Sequence, residues 1–345
     1  MQAWNSNRGG APTRRRTFIA DFISGLAGLA AAAALSNAAL AQTFPSRPVI
    51  IVVPFAAGGA FDVLGRVLAP RMGEVLSQQV LVENVTGASG IIGSSRVAHA
   101  APDGYTVLLA SIGTHAYNPS IYKKLAYDPV GDFTPVGLVA KQPMVLIARN
   151  DLPVNNLKEF IAYVKENHAK MQFGSAGIGS TTHLSCALVN AAMGEHPVHV
   201  PFRGGGPATA EIVAGRIDYG CFNIGGVASQ IKAGNLKAIA TLSRERAAIM
   251  PELASAHEQG LTDFNVTTWN AFLAPKGTPP EIVAKLNDAM SKTLDTPAVQ
   301  ALLTKYGVTG VPPERRSPAY LAKFISEEIA RWARPIKAAG IEQDK

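Results

Sequence analysis

Aromatic and charged residues are sparse, 7% and 17% of the chain, and 345 residues contain only two cysteines. The charges are scattered, with no run of five basics and few aromatics between them, so nucleic-acid binding is not expected despite a formal net charge of +7. Disorder and collagen-like repetition are excluded as well, because 47% of the residues are hydrophobic. No Walker A loop and no GxGxxG with a downstream acidic ribose ligand is present, which removes the usual nucleotide sites. The nearest approach to a GxSxG nucleophile elbow, residues 109–113, lacks its first glycine. HExxH is missing among the seven histidines, and His196 and His199 sit on an extended segment that would point their rings apart. No metal, no cofactor and no catalytic constellation is therefore expected. Cys186 and Cys221 belong to no CxxC, so one disulfide and two buried thiols both fit.

What the chain does have begins with a leader. Arg8, Arg14, Arg15 and Arg16 precede an apolar stretch from Phe18 to Leu40 that ends Ala39-Leu40-Ala41, the pattern of an export signal cleaved after Ala41. Arg15-Arg16-Thr17-Phe18-Ile19 resembles a twin-arginine signal. Without residues 1–41, which carry four Arg and one Asp, the net charge falls to +4. No later apolar run reaches about 18 residues, so the mature chain is expected to be soluble in an oxidising bacterial compartment.

Beyond the leader, short apolar runs alternate with helical patterns, the signature of βαβ units and a mostly parallel sheet. Strands are expected at 49–53, 80–83, 106–110, 144–148, 198–202, 217–222 and 236–241. Leu64, Val67, Leu68, Met72, Val75 and Leu76 recur at helical spacing. Thr278-Pro279-Pro280-Glu281 supplies an N-cap, a proline at the first helical position and a capping-box glutamate. Leu321, Phe324, Ile325, Ile329 and Trp332 form a stripe on the last helix. Segments 143–149 and 269–275 are candidates for paired strands crossing between two lobes.

Four glycine-rich turns stand just ahead of helices: 54–62, 87–93, 177–183 and 202–207. Glycines let a ligand approach the backbone, and the free N–H groups and dipole of a helix start favour an anion. One such turn commonly reflects tight packing alone; four in one chain weigh more. His183, three residues beyond Ser180 and without a carboxylate nearby in sequence, reads as orienting a loop or touching ligand rather than as a base.

PFAAGGAFDVLGRVLA (54–69), APDGYTVLLAS (101–111), YDPVGDFTPVGLV (127–139), GSAGIGSTTHL (174–184) and HVPFRGGGPATAEIVAGRID (199–218), with the exported leader, resemble the Bug family of solute receptors serving tripartite tricarboxylate transporters. The resemblance continues through IKAGNLKAIATLS (231–243) to EEIARWARPIKAAGI (327–341). It implies an α/β type II periplasmic binding protein of two lobes, each a mostly parallel sheet flanked by helices, joined by two crossing strands. Lobe 1 is expected at 42–144 plus 272–345 and lobe 2 at 145–271. The implied role is a non-enzymatic, monomeric receptor that delivers a small carboxylate to membrane permease subunits. The other reading is a secreted α/β hydrolase or transferase using Ser180 and His183. Motif by motif, the ligand set implied is Phe55, Ala56, Gly58, Gly59, Asp62 and Ser111 from lobe 1. From lobe 2 it is Gly177, Ser180, Thr181, Thr182, His183, the turn Arg203, Gly204, Gly205 and Gly206, and Phe222 and Asn223. Asp62 is expected to brace a helix start, since it would repel an anion. Phe222 stands where the family often carries an acid, which argues against an amino acid and for a dicarboxylate or an aromatic carboxylate.

Overall fold

The computed structural model describes residues 44–338 together with Met1, Gln2, Trp4 and Gly340. The expected export signal lies outside the described residues except at Met1, Gln2 and Trp4. Between Pro45 and the C-terminus the chain forms one unit. Its elements run β1 (Val49–Val53), α1 (Ala60–Leu76), β2 (Val80–Asn84), α2 (Ile91–Ala98), β3 (Thr106–Ser111), α3 (Asn118–Ile121) and β4 (Phe133–Arg149). There follow α4 (Leu157–Asn167), β5 (Gln172–Ser175), α5 (Thr181–Met193), β6 (Val198–Pro201), α6 (Gly205–Val213), β7 (Tyr219–Asn223), α7 (Ile224–Lys232) and β8 (Leu236–Thr241). The chain closes with β9 (Thr267–Pro275), α8 (Pro280–Leu294), α9 (Pro297–Lys305), β10 (Thr309–Gly310) and α10 (Pro318–Ala338).

The strands are ordered β2-β1-β3-β9-β4-β7-β5-β6, with β8 and β10 also pairing β4. β1 is parallel to β2 and β3, and β5 is parallel to β6 and β7, as βαβ units require. β4 belongs to both groups. Its first part pairs antiparallel with β9 from Phe133↔Pro275 to Pro143↔Thr267, and its last residues pair with β7 on one side and β8 on the other. Both faces of that last part are covered: Val145 and Ile147 enter one apolar cluster with Ile212, Phe222 and Val227, while Met144, Leu146 and Ala148 enter another. Burial on both sides explains why 144–148 is a continuous apolar run rather than an alternating one.

Several expectations are corrected here. Segment 269–275 pairs with 133–141 and not with 143–149, because 143–149 is taken up by β7 and β8. β5 was not anticipated: Gln172-Phe173-Gly174-Ser175 has no apolar run, and it becomes a strand by lying between β6 and β7. α8 starts one residue later than the capping pattern implies, with Pro279 as N-cap at φ −55°, ψ 139°. Pro280 disfavours helical geometry in the residue before it, so Pro279 cannot be the first helical residue. The Thr278 hydroxyl donates instead to the Pro275 carbonyl at 2.7 Å. On α10 the buried face is Leu321, Ile325, Glu328, Trp332 and Ile336. The unexpected member, Glu328, accepts the indole N–H groups of Trp269 at 2.9 Å and Trp332 at 3.1 Å.

Cys186 on α5 and Cys221 on β7 are both fully buried and joined as a disulfide, with Cα atoms 5.3 Å apart. That closes the alternative of two separate thiols.

Candidate ligand-binding site

The first glycine turn leaves β1 and enters α1. Gly58 takes φ +79°, and its N–H donates to the Asp62 carboxylate at 2.9 Å. Asp62 is buried and also receives Arg66 at 2.9 Å, so it closes the turn from within. Burial alone would raise its carboxyl, yet the bonds from Arg66, Gly58 and Asn84 outweigh burial and hold it below the ordinary carboxylate range. Across from it, Gly204 at φ +146° precedes α6, and a Cβ there would lie 2.8 Å from the Ala56 Cβ. Two turns far apart in sequence thus meet backbone to backbone, which only glycine permits at that conformation.

Where they meet is a cavity of about 480 Å³, counting its open mouth. Its walls are the starts of helices: Gly59, Ala60 and Phe61 from α1, Gly205, Gly206 and Thr209 from α6, Asn223, Gly226 and Val227 from α7, and Thr182 from α5. The first N–H groups of a helix have no partner inside the helix and carry the positive end of its dipole. Their convergence favours an anion, at about 0.3–1 kcal/mol per helix and up to about 2 kcal/mol where partly buried. Phe55, Phe61 and Phe222 supply apolar wall, and no lining residue is Asp, Glu, Lys or Arg. Asn223 is 5% exposed, and its Nδ2 has no hydrogen-bond partner, so a buried donor stands at the cavity wall.

A second cavity, of about 600 Å³ with its mouth, shares Phe55 and Ala176 with the first. It is lined by the turn at 87–90, by Tyr122, by Gly177 and Ile178, and by Arg203, the sole lining residue with a charged side chain. Arg203 is exposed and forms no ion pair or hydrogen bond among the described residues.

Of the expected ligand residues, the first cavity brings together Phe55, Ala56, Gly58, Gly59, Thr182, Gly205, Phe222 and Asn223. Gly177 and Arg203 line the second. Gly204 serves the contact with Ala56. Asp62 and four others line neither cavity. Ser111 is fully buried and its Oγ accepts the Thr114 N–H at 3.3 Å. Thr181 is buried at the first position of α5, its backbone against the Gly113 turn. Ser180 caps α5 by accepting the His183 N–H at 3.3 Å, and donates to the Gly177 carbonyl at 2.7 Å. The His183 ring accepts the Gly179 N–H at Nδ1, 3.1 Å, and stacks on His199 at 3.9 Å. Burial, with the neighbouring His199 second, holds its imidazole down at about 3. Gly206 of the expected 203–206 turn lines the first cavity too, and Ala60, Phe61, Ala176, Thr209, Gly226 and Val227 line it from outside the expected set. A fifth turn of the same kind, Asn223-Ile224-Gly225-Gly226 after β7, was the signal available for the α7 members.

Among the described residues no group of three or more His, Cys, Asp or Glu could hold a metal, and no helix is long and apolar enough to cross a membrane.

Known proteins resemble this chain over nearly its whole length. The periplasmic binding protein BugD superposes with a TM-score of 0.84 at 38% identity, covering 87% of this chain and 99% of its own. MatC (Rpa3494) from Rhodopseudomonas palustris, solved with bound malate, gives 0.82 at 41% identity over 85% and 100%. R. palustris Rpa4515, solved with adipate, gives 0.82 at 32% identity over 86% and 98%. The family model described as "Tripartite tricarboxylate transporter family receptor" matches residues 64–341. With the shared α/β fold and a cavity walled by helix starts, the chain belongs to that family of tripartite tricarboxylate transporter receptors.

Proposed function

We propose that this chain is a periplasmic receptor that captures a small carboxylate between two lobes and passes it, unmodified, to the permease of a tripartite transporter. The observation that carries this reading is the convergence of four helix starts on a phenylalanine-lined cavity without an acidic side chain. One carboxylate sits at the N-termini of α1, α6 and α7, and the apolar body of the ligand lies against Phe55, Phe61 and Phe222. A second carboxylate reaches Arg203 through the adjoining cavity. An ammonium group would find no counter-charge, since Asp62 is already engaged by Arg66 and Gly58. The malate of MatC and the adipate of Rpa4515 are both dicarboxylates without an ammonium group, which supports this class of ligand.

The lobes are 42–144 with 272–345, and 145–271, hinged where β4 and β9 pass between the two groups of strands. Closure follows from the ligand's preference for the closed state. The leader directs the chain to the periplasm and is removed after Ala41, and the receptor acts as a monomer. Catalysis by Ser180 and His183 is disfavoured, because the Ser180 hydroxyl donates to a carbonyl and the His183 Nδ1 is occupied by a backbone N–H.

A thermal-shift panel of mono- and dicarboxylates, aromatic acids, aspartate and glutamate tests the proposal. A dicarboxylate or aromatic acid at 100 times its Kd should stabilise the chain by about 2.7 kcal/mol. Conversion of a bound acid, seen by mass spectrometry, or tighter binding of aspartate or glutamate than of every other acid would refute it.

A further inference from the structure

The turn between β2 and α2 has an unusual backbone. Gly87, Ala88, Ser89 and Gly90 take φ of +128°, +44°, +54° and +87°, so four successive residues are left-handed and two of them carry a Cβ. Such geometry persists in L residues only when the surroundings hold it, and it gathers at places with a task. The turn aims Ser89, 7% exposed, across the gap to the loop between β5 and α5, where its hydroxyl donates to the Ile178 carbonyl. The Tyr122 hydroxyl, arriving from the end of α3, donates to the same carbonyl at 2.6 Å. Burial pushes the Tyr122 phenol up, so it remains a donor at any working pH.

The receiving loop fits these two side chains closely. A Cβ on Gly177, at φ +123°, would lie 2.7 Å from Ser89 Oγ, and one on Gly179, at φ +85°, would lie 3.0 Å from Asn118 Oδ1 and from the Tyr122 ring. The loop is also braced from inside: Thr182 Oγ1 accepts the Ala176 N–H at 2.7 Å, Ser180 donates to Gly177, and His183 accepts from Gly179. A pull on the Ile178 carbonyl is therefore passed to Ala176 and Thr182, which line the first cavity, whereas Ser89 and Tyr122 themselves line only the second.

We infer that Ser89 and Tyr122 are positioning residues that form a latch on the Ile178 carbonyl, holding the Gly177–Thr182 loop against the opposite side of the cleft and so setting ligand affinity without contacting the carboxylate at the helix starts. The inference rests on the two-lobed receptor reading. A neutral hydrogen bond contributes about 1 kcal/mol, equivalent to about fivefold in an equilibrium. Each donor lost should thus reduce the latched population about fivefold.

Tyr122→Phe and Ser89→Ala are compared with the wild type by amide hydrogen exchange in the purified, ligand-free chain. Exchange across residues 176–182 should speed about fivefold in each variant while β1 keeps its protection. In stopped-flow binding of succinate and adipate, the dissociation rate should rise by a similar factor at an unchanged association rate. Unaltered exchange at 176–182, or a uniform increase over the whole chain, would overturn the latch. If the wild type binds neither acid, the ligand assignment fails while the exchange measurement still decides the latch.

Discussion

Gly205→Val separates a ligand role from a folding role for the glycine turns. Gly205 is the first residue of α6, its φ is not positive, and a Cβ built there meets only the Phe222 ring, at 3.6 and 3.8 Å. The fold therefore has room for the first carbon. The two further methyl groups would extend into the space beside Phe222 and Gly206 that the cavity provides. A carboxylate displaced from this helix start forfeits about 2 kcal/mol of dipole interaction in a partly buried setting and about 2 kcal/mol for a charge-assisted hydrogen bond. About 4 kcal/mol together is roughly a thousandfold in Kd. Stability should barely change, because valine at a helix start differs from glycine by well under ~1 kcal/mol and the melting temperature should stay within about 2 °C. Gly204→Val is the contrasting variant, since its φ of +146° and the 2.8 Å approach to Ala56 forbid a side chain, and it should lose stability outright. Titration calorimetry with the best acid of the carboxylate panel, alongside thermal melts, reads both quantities. A Gly205→Val variant that binds within threefold of wild type would remove α6 from the anion site, and one that unfolds would show that the glycine serves the backbone alone.

Two further outcomes follow from the covalent and ionic contacts. The Cys186–Cys221 disulfide closes a loop of 35 residues, so replacing both cysteines by alanine should lower stability in urea titrations by up to about 4 kcal/mol while leaving carboxylate affinity unchanged. Asp62, whose carboxyl is held below its ordinary value, contributes stability that is present above pH ~4 and is lost as pH falls through the lowered folded value; Asp62→Asn should flatten the stability curve between about pH 5 and pH 2, and an unchanged curve would show that the Arg66 and Gly58 bonds do not matter to folding.

Where the chain dictates local geometry, its sequence was readable. β1, Val-Ile-Ile-Val-Val, is too apolar to be anything but buried, and the glycine turns announce helix starts because few other residues fit them. Features decided by distant partners were not readable. Gln172–Ser175 is a strand only because β6 and β7 flank it, and the cysteine pairing depends on α5 crossing β7. The site divides the same way. Backbone at Gly59 and Gly205 was legible as cavity wall, whereas the hydroxyls of Ser111 and Ser180 are spent on their own turns, a fate that residue type alone does not reveal. Thr209 and Val227 lie four residues beyond Gly205 and Asn223, on the same side of α6 and α7, and so line the cavity one turn deeper.

The carboxylate of Glu328 has a spectroscopic consequence. The sequence contains three tryptophans, and Trp4 falls in the segment proposed to be removed as a leader. Trp269 on β9 and Trp332 on α10 are the other two, and both donate to that one buried carboxylate. Because β9 is one of the two strands proposed to pass through the hinge, the indole emission of a chain cleaved after Ala41 would originate at a single joint beside it. An emission change on adding an acid would thus report motion at that joint, with no label needed.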